Sequence, residues 1–166
     1  MVSTAKYFLP KLLARFREEH PGVDIRLAVG NREQLVALLH AGEVDTAIRG
    51  RPPNDLATRA EPFAAHPHVF VAPPGHALVH AGTVLPGQLG DQPFLMRESG
   101  SGTRAALEQF LEAQHVTVNT AMEMSSNETI KQAVMAGMGL SFLSLHTIGL
   151  EQRHGLIAVL DVRGAP

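Results

Sequence analysis

Cysteine is absent from the 166 residues, which excludes disulfides, thiol nucleophiles, thiolate zinc sites and iron–sulfur ligation. A surplus of positive charge is absent too. The 14 Lys and Arg stand against 16 Asp and Glu, a net charge of -2, so the chain has no domain-wide cationic field with which to grip nucleic acid by itself. The start, Met1-Val2-Ser3-Thr4-Ala5-Lys6, lacks the long apolar stretch of a secretory signal. Residues 133–150 are 18 consecutive uncharged positions, long enough to raise a membrane span. They contain Gly137, Gly139, Gly149, Ser141, Ser144, His146 and Thr147, a content that predicts a helix end followed by a buried strand. What is present in quantity is apolar side chain, 45% against 18% charged. That balance excludes general disorder and fits one compact domain, or two small lobes, burying about 70% of the unfolded surface.

The patterning alternates between two periods. Leu9, Leu12, Leu13 and Phe16 recur at helical spacing before His20-Pro21-Gly22, predicting a helix over about 6–19. Val23, Ile25, Leu27 and Val29 then alternate with Asp24, Arg26 and Ala28, predicting a strand with one buried face. Asn31 and Gln34 form a capping-box pair opening a helix that ends at Gly42, and a short strand is predicted at 44–48. After the loop at 51–55, a strand at 64–72 runs into Pro73-Pro74-Gly75, the strongest lobe boundary, dividing the chain into 1–73 and 74–166. Beyond it the pattern predicts a strand at 93–96, a helix at 103–114, a strand at 116–124, a helix at 126–135 and strands at 140–143 and 156–162. Such alternation on both sides of the break is the mark of an α/β architecture with mostly parallel sheets.

Four predicted helices start immediately after a strand or at the chain start, each rich in hydroxyl or amide side chains: Ser3-Thr4, Gly30-Asn31, Ser99-Gly100-Ser101-Gly102-Thr103 and Ser125-Ser126-Asn127-Glu128. Helix N-termini offer free N–H groups and a partial positive charge, so several facing one crevice suit an anion. The same residues also serve ordinary capping, with Ser125 and Glu128 as a capping-box pair. In the segment 97–104, glycines permit close backbone approach to a phosphate while Arg97 and Arg104 supply charge. It also spells G-x-G-x-x-A at Gly100, Gly102 and Ala105 with Glu123 about twenty residues on, a weak dinucleotide fingerprint. His66-x-His68 places two imidazoles on one face of a strand, yet no motif adds a third ligand and no H-E-x-x-H occurs, so no metal site is assigned. No G-x-S-x-G elbow or isolated carboxylate pair occurs, so no catalytic residue is assigned.

These residues together resemble the effector-binding domain of a LysR-type transcriptional regulator. The resemblance runs through Ser3-Thr4-Ala5-Lys6-Tyr7-Phe8-Leu9-Pro10-Lys11-Leu12-Leu13 and His20-Pro21-Gly22-Val23. It continues through Gly42 and Asp45 (a "G-x-x-D-x-A-I" segment), His76-Ala77-Leu78, and Val134-Met135-Ala136-Gly137-Met138-Gly139-Leu140-Ser141, similar to "V-A-A-G-x-G-I-S". Within the family, Val29-Gly30-Asn31-Arg32-Glu33, Gly50-Arg51-Pro52-Pro53 and 97–104 are most like the CbbR group, which controls Calvin-cycle carbon-fixation operons.

The resemblance implies a type II periplasmic-binding-protein-like fold, two α/β lobes around a central effector crevice, truncated at both ends. The expected N-terminal winged helix-turn-helix and linker helix, most of the first strand, and the C-terminal return into the first lobe do not occur in the sequence. It implies effector contacts at Ser3, Thr4, Asn31, Ser99, Ser101, Thr103, Ser126, Asn127 and Thr129, joined by Arg97 and Arg104 for charge. It further implies no bound cofactor but an anionic or phosphorylated effector such as ribulose bisphosphate, phosphoenolpyruvate or NADPH. The implied setting is cytoplasmic, with a homodimer, a tetramer in the full-length regulator, and DNA contact only through the helix-turn-helix. The rivals are a periplasmic-type solute-binding protein of the same fold and a dinucleotide-dependent enzyme built on 100–105.

Overall fold

The computed structural model describes residues 6–7, 9–48 and 59–165. They fall into two compact units, 1–65 and 66–166.

In the first unit the two predicted helices form, as α1 (Leu9–Glu19) and α2 (Arg32–His40). Asn31 caps α2 as its spacing predicts: its Oδ1 accepts from the Gln34 N–H at 3.0 Å, and Gln34 Oε1 accepts from the Asn31 N–H at 2.9 Å. The strands expected at 23–29 and 44–48 do not form among the described residues. Val23, Leu27 and Val29 are half exposed, at 50%, 51% and 52%, so the predicted buried face is not buried. The alternation is genuine, but a strand exists only when a neighbour takes up its N–H and C=O groups. No ladder to 23–29 or 44–48 is present among the described residues.

The second unit contains the core. Five strands, β1 (His68–Ala72), β2 (Pro93–Arg97), β3 (Asn119–Met124), β4 (Leu140–Ser144) and β5 (Ala158–Leu160), form one sheet in the order β3-β2-β4-β1-β5. β2 pairs parallel with β3 and β4, whereas β1 runs antiparallel to β4 and β5. The sheet is thus mixed, with β1 the reversed strand.

Its central strands are buried on both faces, which is why they read as continuous apolar runs. Neighbouring residues point to opposite sides. Phe70, Phe94 and Phe142 pack on one face with Leu107, Phe110 and Leu111 of α3 (Gly102–Ala113). Val71, Leu95 and Leu143 pack on the other with Ile130, Ala133 and Val134 of α4 (Asn127–Met135). The i, i+3, i+4 spacing within each helix is what turns those side chains onto a single stripe. Connections wrap the core in short 3-10 turns at Ala77–Val79, Pro86–Leu89 and Leu145–Thr147 and a five-residue helix, α5 (Gly149–Arg153). None of these was legible from periodicity, being shorter than one reliable repeat.

The uncharged run at 133–150 divides as expected into a helix end and a buried strand. No helix of the described residues is long and apolar enough to cross a membrane. Two glycines make the division. Gly137 (φ +79°) ends α4, with its N–H donating to the Val134 carbonyl and the Met138 N–H to that of Ala133. Gly139 (φ +156°) passes so close to β2 that an added Cβ would lie 2.4 Å from the Pro93 carbonyl oxygen.

Candidate functional site

The strands β2 and β3 lie side by side and end level, Arg97 opposite Met124. The chain leaving β2 enters α3 on one face of the sheet, and the chain leaving β3 enters α4 on the other. Connections that diverge to opposite faces from adjacent parallel strands open a crevice at the strands' carboxyl ends, the place where open α/β sheets bind ligands. Two helix N-termini border it, each bringing orphan N–H groups and a partial positive charge.

Polar side chains tie the two helix starts together. The Arg97 guanidinium, 5% exposed, makes a two-pronged ion pair with Glu98, Nε to Oε2 at 2.7 Å and Nη2 to Oε1 at 2.9 Å. Its remaining prong, Nη1, donates to Asn127 Oδ1 at 2.5 Å, crossing from the end of β2 to the first residue of α4. Arg104, in the first turn of α3, donates from Nη1 to the Arg97 carbonyl at 3.2 Å and to Glu123, and from Nε to Glu108 at 2.8 Å. The Glu108 and Glu123 carboxylates together hold its pKa further above the ordinary arginine value. Glu123 of the dinucleotide fingerprint therefore serves Arg104, and Gly102 and Ala105 lie within α3.

Ser101 is the N-cap of α3, its Oγ accepting from the Arg104 N–H at 3.5 Å. Ser126, rather than the predicted Ser125, caps α4, accepting from the Thr129 N–H at 3.3 Å. The Glu128 of that expected pair instead meets Lys131 Nζ at 3.0 Å, and buried Lys131 reaches Glu151 at 2.7 Å, joining α4 to α5.

Of the candidate residues, Arg97, Ser101, Thr103 and Asn127 are buried around the two helix starts, Arg104 and Ser126 are half buried, and Ser99 and Thr129 are exposed. Asn31 is half buried at the start of α2 in the first unit. Ser3 and Thr4, like the loop at 51–55, lie outside the described residues.

Sequence reasoning missed the histidines' part in this region. His68 begins β1 opposite Ser144, the last residue of β4, and its Nε2 lies 3.2 Å from Thr103 Oγ1. Its ring stacks on Phe142, with centroids 5.3 Å apart, and meets His66 edge-on at 5.0 Å; His66 lies 5.5 Å from His146. Burial, then the neighbouring His66 and His146, push the His68 pKa down to about 4. Burial and His146 lower that of His66 as well. The sequence signal was the H-x-H spacing, which puts both rings on one face but says nothing of Thr103, 35 positions away. Among the described residues no group of three His, Asp or Glu is arranged to hold a metal ion.

Comparison with known proteins defines the class. The family described as LysR substrate binding domain matches residues 1–166, and the chain belongs to it. It is 54% identical over 166 residues to the HTH-type transcriptional regulator CfxR of Cupriavidus necator, covering 100% of this chain and 52% of that protein. It is 47% identical over 167 residues to the HTH-type transcriptional regulator CbbR of Rhizobium meliloti, covering 100% and 53%. Among solved structures, the Synechocystis PCC6803 CcmR regulatory domain in complex with 2-PG matches with a TM-score of 0.93 and 38% identity, over 99% of this chain and 79% of that one. The chain spans about half the length of the curated relatives it matches. It is the effector-binding domain of a LysR-type regulator, with the periplasmic-binding-protein-like fold, in a family of regulators rather than enzymes. Neither the solute-binding protein nor the dinucleotide-dependent enzyme is favoured.

Proposed function

We propose that this domain senses a small anionic, phosphorylated metabolite and, within a longer regulator, passes the signal to a DNA-binding region that controls carbon-fixation genes. The observation that carries the reading is the pair of helix N-termini at the diverging ends of β2 and β3, each suited to phosphate oxygens. In this reading Ser99, Ser101, Thr103, Ser126, Asn127 and Thr129 orient the effector, and Arg97 and Arg104, each ion-paired with carboxylates, border it and hold the two helix starts in place. Ser3, Thr4 and Asn31 are assigned as further contacts. A related regulatory domain is solved in complex with 2-PG, which supports an effector of this class; ribulose bisphosphate, phosphoenolpyruvate and NADPH are the other candidates. The regulator is proposed to be cytoplasmic and dimeric or tetrameric, the effector acting by its differential affinity for two arrangements of the protein.

Thermal unfolding against these four compounds tests the reading. A compound present at a hundred times its dissociation constant stabilises by about 2.7 kcal/mol and should raise the midpoint by about 5 to 10 °C. A selective shift identifies the signal. A folded protein whose midpoint no anion moves would leave the helix starts as caps alone.

A further inference from the structure

We infer that His68 is a positioning residue of the effector site, holding the Thr103 hydroxyl so that its hydrogen faces an acceptor oxygen of the ligand. The inference rests on the anion-binding reading above and adds to it a residue from outside the two helix starts. Thr103 is the second residue of α3 and 8% exposed. Its hydroxyl has one hydrogen and two lone pairs, so a donor on one lone pair turns the hydrogen away from itself. His68 Nε2, at 3.2 Å from Thr103 Oγ1, donates to that lone pair when Nε2 carries the ring proton, leaving the hydroxyl hydrogen for the ligand.

The imidazole is fixed for this task from several sides. Phe142 of β4 lies parallel to the ring, tilted by only 13°, and His66, from the segment before β1, meets it edge-on. The titratable groups acting on it are His66 and, from the turn after β4, His146. Burial and both neighbours keep the ring neutral at physiological pH, so His68 acts as an oriented dipole rather than as a cation. A site built this way favours ligands that present acceptors, such as phosphoryl or carboxylate oxygens. It leaves a hydrogen unmatched where the ligand offers a donor.

The test is a double-mutant cycle on the full chain, with inorganic phosphate and 2-PG as calorimetric probes. His68→Phe keeps the stack on Phe142 and removes the donor; it should weaken binding about three- to tenfold, the worth of one hydrogen bond. His68→Gln, whose amide N–H reaches the position of Nε2, should restore most of that loss. In a Thr103→Val background His68→Phe should have no further effect, and the ring 15N shifts of the wild-type protein should identify Nε2 as the protonated nitrogen. Equal losses with and without Thr103, or a proton on Nδ1, would overturn the inference. Wild-type binding that His68→Phe leaves unchanged would overturn it too, while the anion-binding reading stands. A folded wild-type chain that binds neither probe overturns the inference, and the anion-binding reading falls with it only if ribulose bisphosphate, phosphoenolpyruvate and NADPH also fail to bind.

Discussion

At the residue scale, this domain separates side chains that hold charge in place from side chains that can meet a ligand. Arg97 is the clearest case of the first kind. Its buried guanidinium already has Glu98 on one edge and Asn127 on the other, so it fixes the distance between the end of β2 and the start of α4. A planar five-donor fork suits that bridging role, which lysine's single ammonium could not reproduce. His68 shows how burial sets protonation. A histidine held at about 4 when folded and at 6.5 when unfolded stabilises the fold fully above pH 6.5. That contribution is lost as the pH falls toward 4, because the unfolded chain binds the proton first. The difference corresponds to about 3 kcal/mol, and His66 shifts in the same direction. Denaturant unfolding between pH 7 and pH 4.5 should therefore show a loss of stability that His68→Gln reduces. An equal loss in both proteins would contradict the assignment.

At the scale of elements, helix starts and stops carry more of the design than helix interiors. The caps Asn31, Ser101 and Ser126 each satisfy an N–H that the helix itself cannot, and the stretch after α4 sets β4 against β2. The family-like sequence Met135-Ala136-Gly137-Met138-Gly139-Leu140-Ser141 has a physical reading position by position. Gly137 supplies the left-handed turn, Gly139 admits the Pro93 carbonyl, Leu140 enters the core, and Ser141 Oγ donates to the Leu95 carbonyl at 2.7 Å. The two glycines should respond differently to alanine. Gly137→Ala meets open space and should cost about 1 kcal/mol from φ alone. Gly139→Ala must displace backbone and should cost at least about 3 kcal/mol. Urea unfolding of the two variants checks this, and similar losses would refute the close approach as the reason for Gly139.

For the whole molecule, the two units differ in how they bury apolar surface. Both core clusters draw only on residues 69–162, and every described strand belongs to the same 66–166 unit. Among the described residues of the first unit, Leu9 and Leu35 are the buried hydrophobics, while Leu12, Phe16, Val23, Leu27, Val29 and Phe63 are exposed. A fragment spanning residues 66–166 should therefore unfold in one cooperative transition by itself, read by circular dichroism with denaturant. Limited proteolysis of the full chain should cut within 1–65 first. Gradual, non-cooperative melting of the fragment would show that its core depends on the first unit.

The sequence alone determined whatever is encoded within a few residues. The α/β class, the helices predicted over about 6–19, between Asn31 and Gly42, and over 103–114 and 126–135, and the Asn31–Gln34 cap follow from periodicity and capping chemistry at neighbouring positions, while the glycine stretch was legible as a family resemblance whose close approach to Pro93 only the fold explains. Tertiary structure decided what depends on distant partners. The alternating residues 23–29 have the pattern of a strand and no ladder among the described residues, because pairing is supplied by another segment and not by the pattern. β1 lies against β4 in the reverse sense, which no local signal fixes. Asn127 was legible as part of a helix start but not as the partner of Arg97, 30 residues away. His68 was legible as half of an H-x-H pair but not as the neighbour of Thr103. Local sequence can specify which groups are available, but only the crossing of the chain over the sheet brings them within hydrogen-bonding distance.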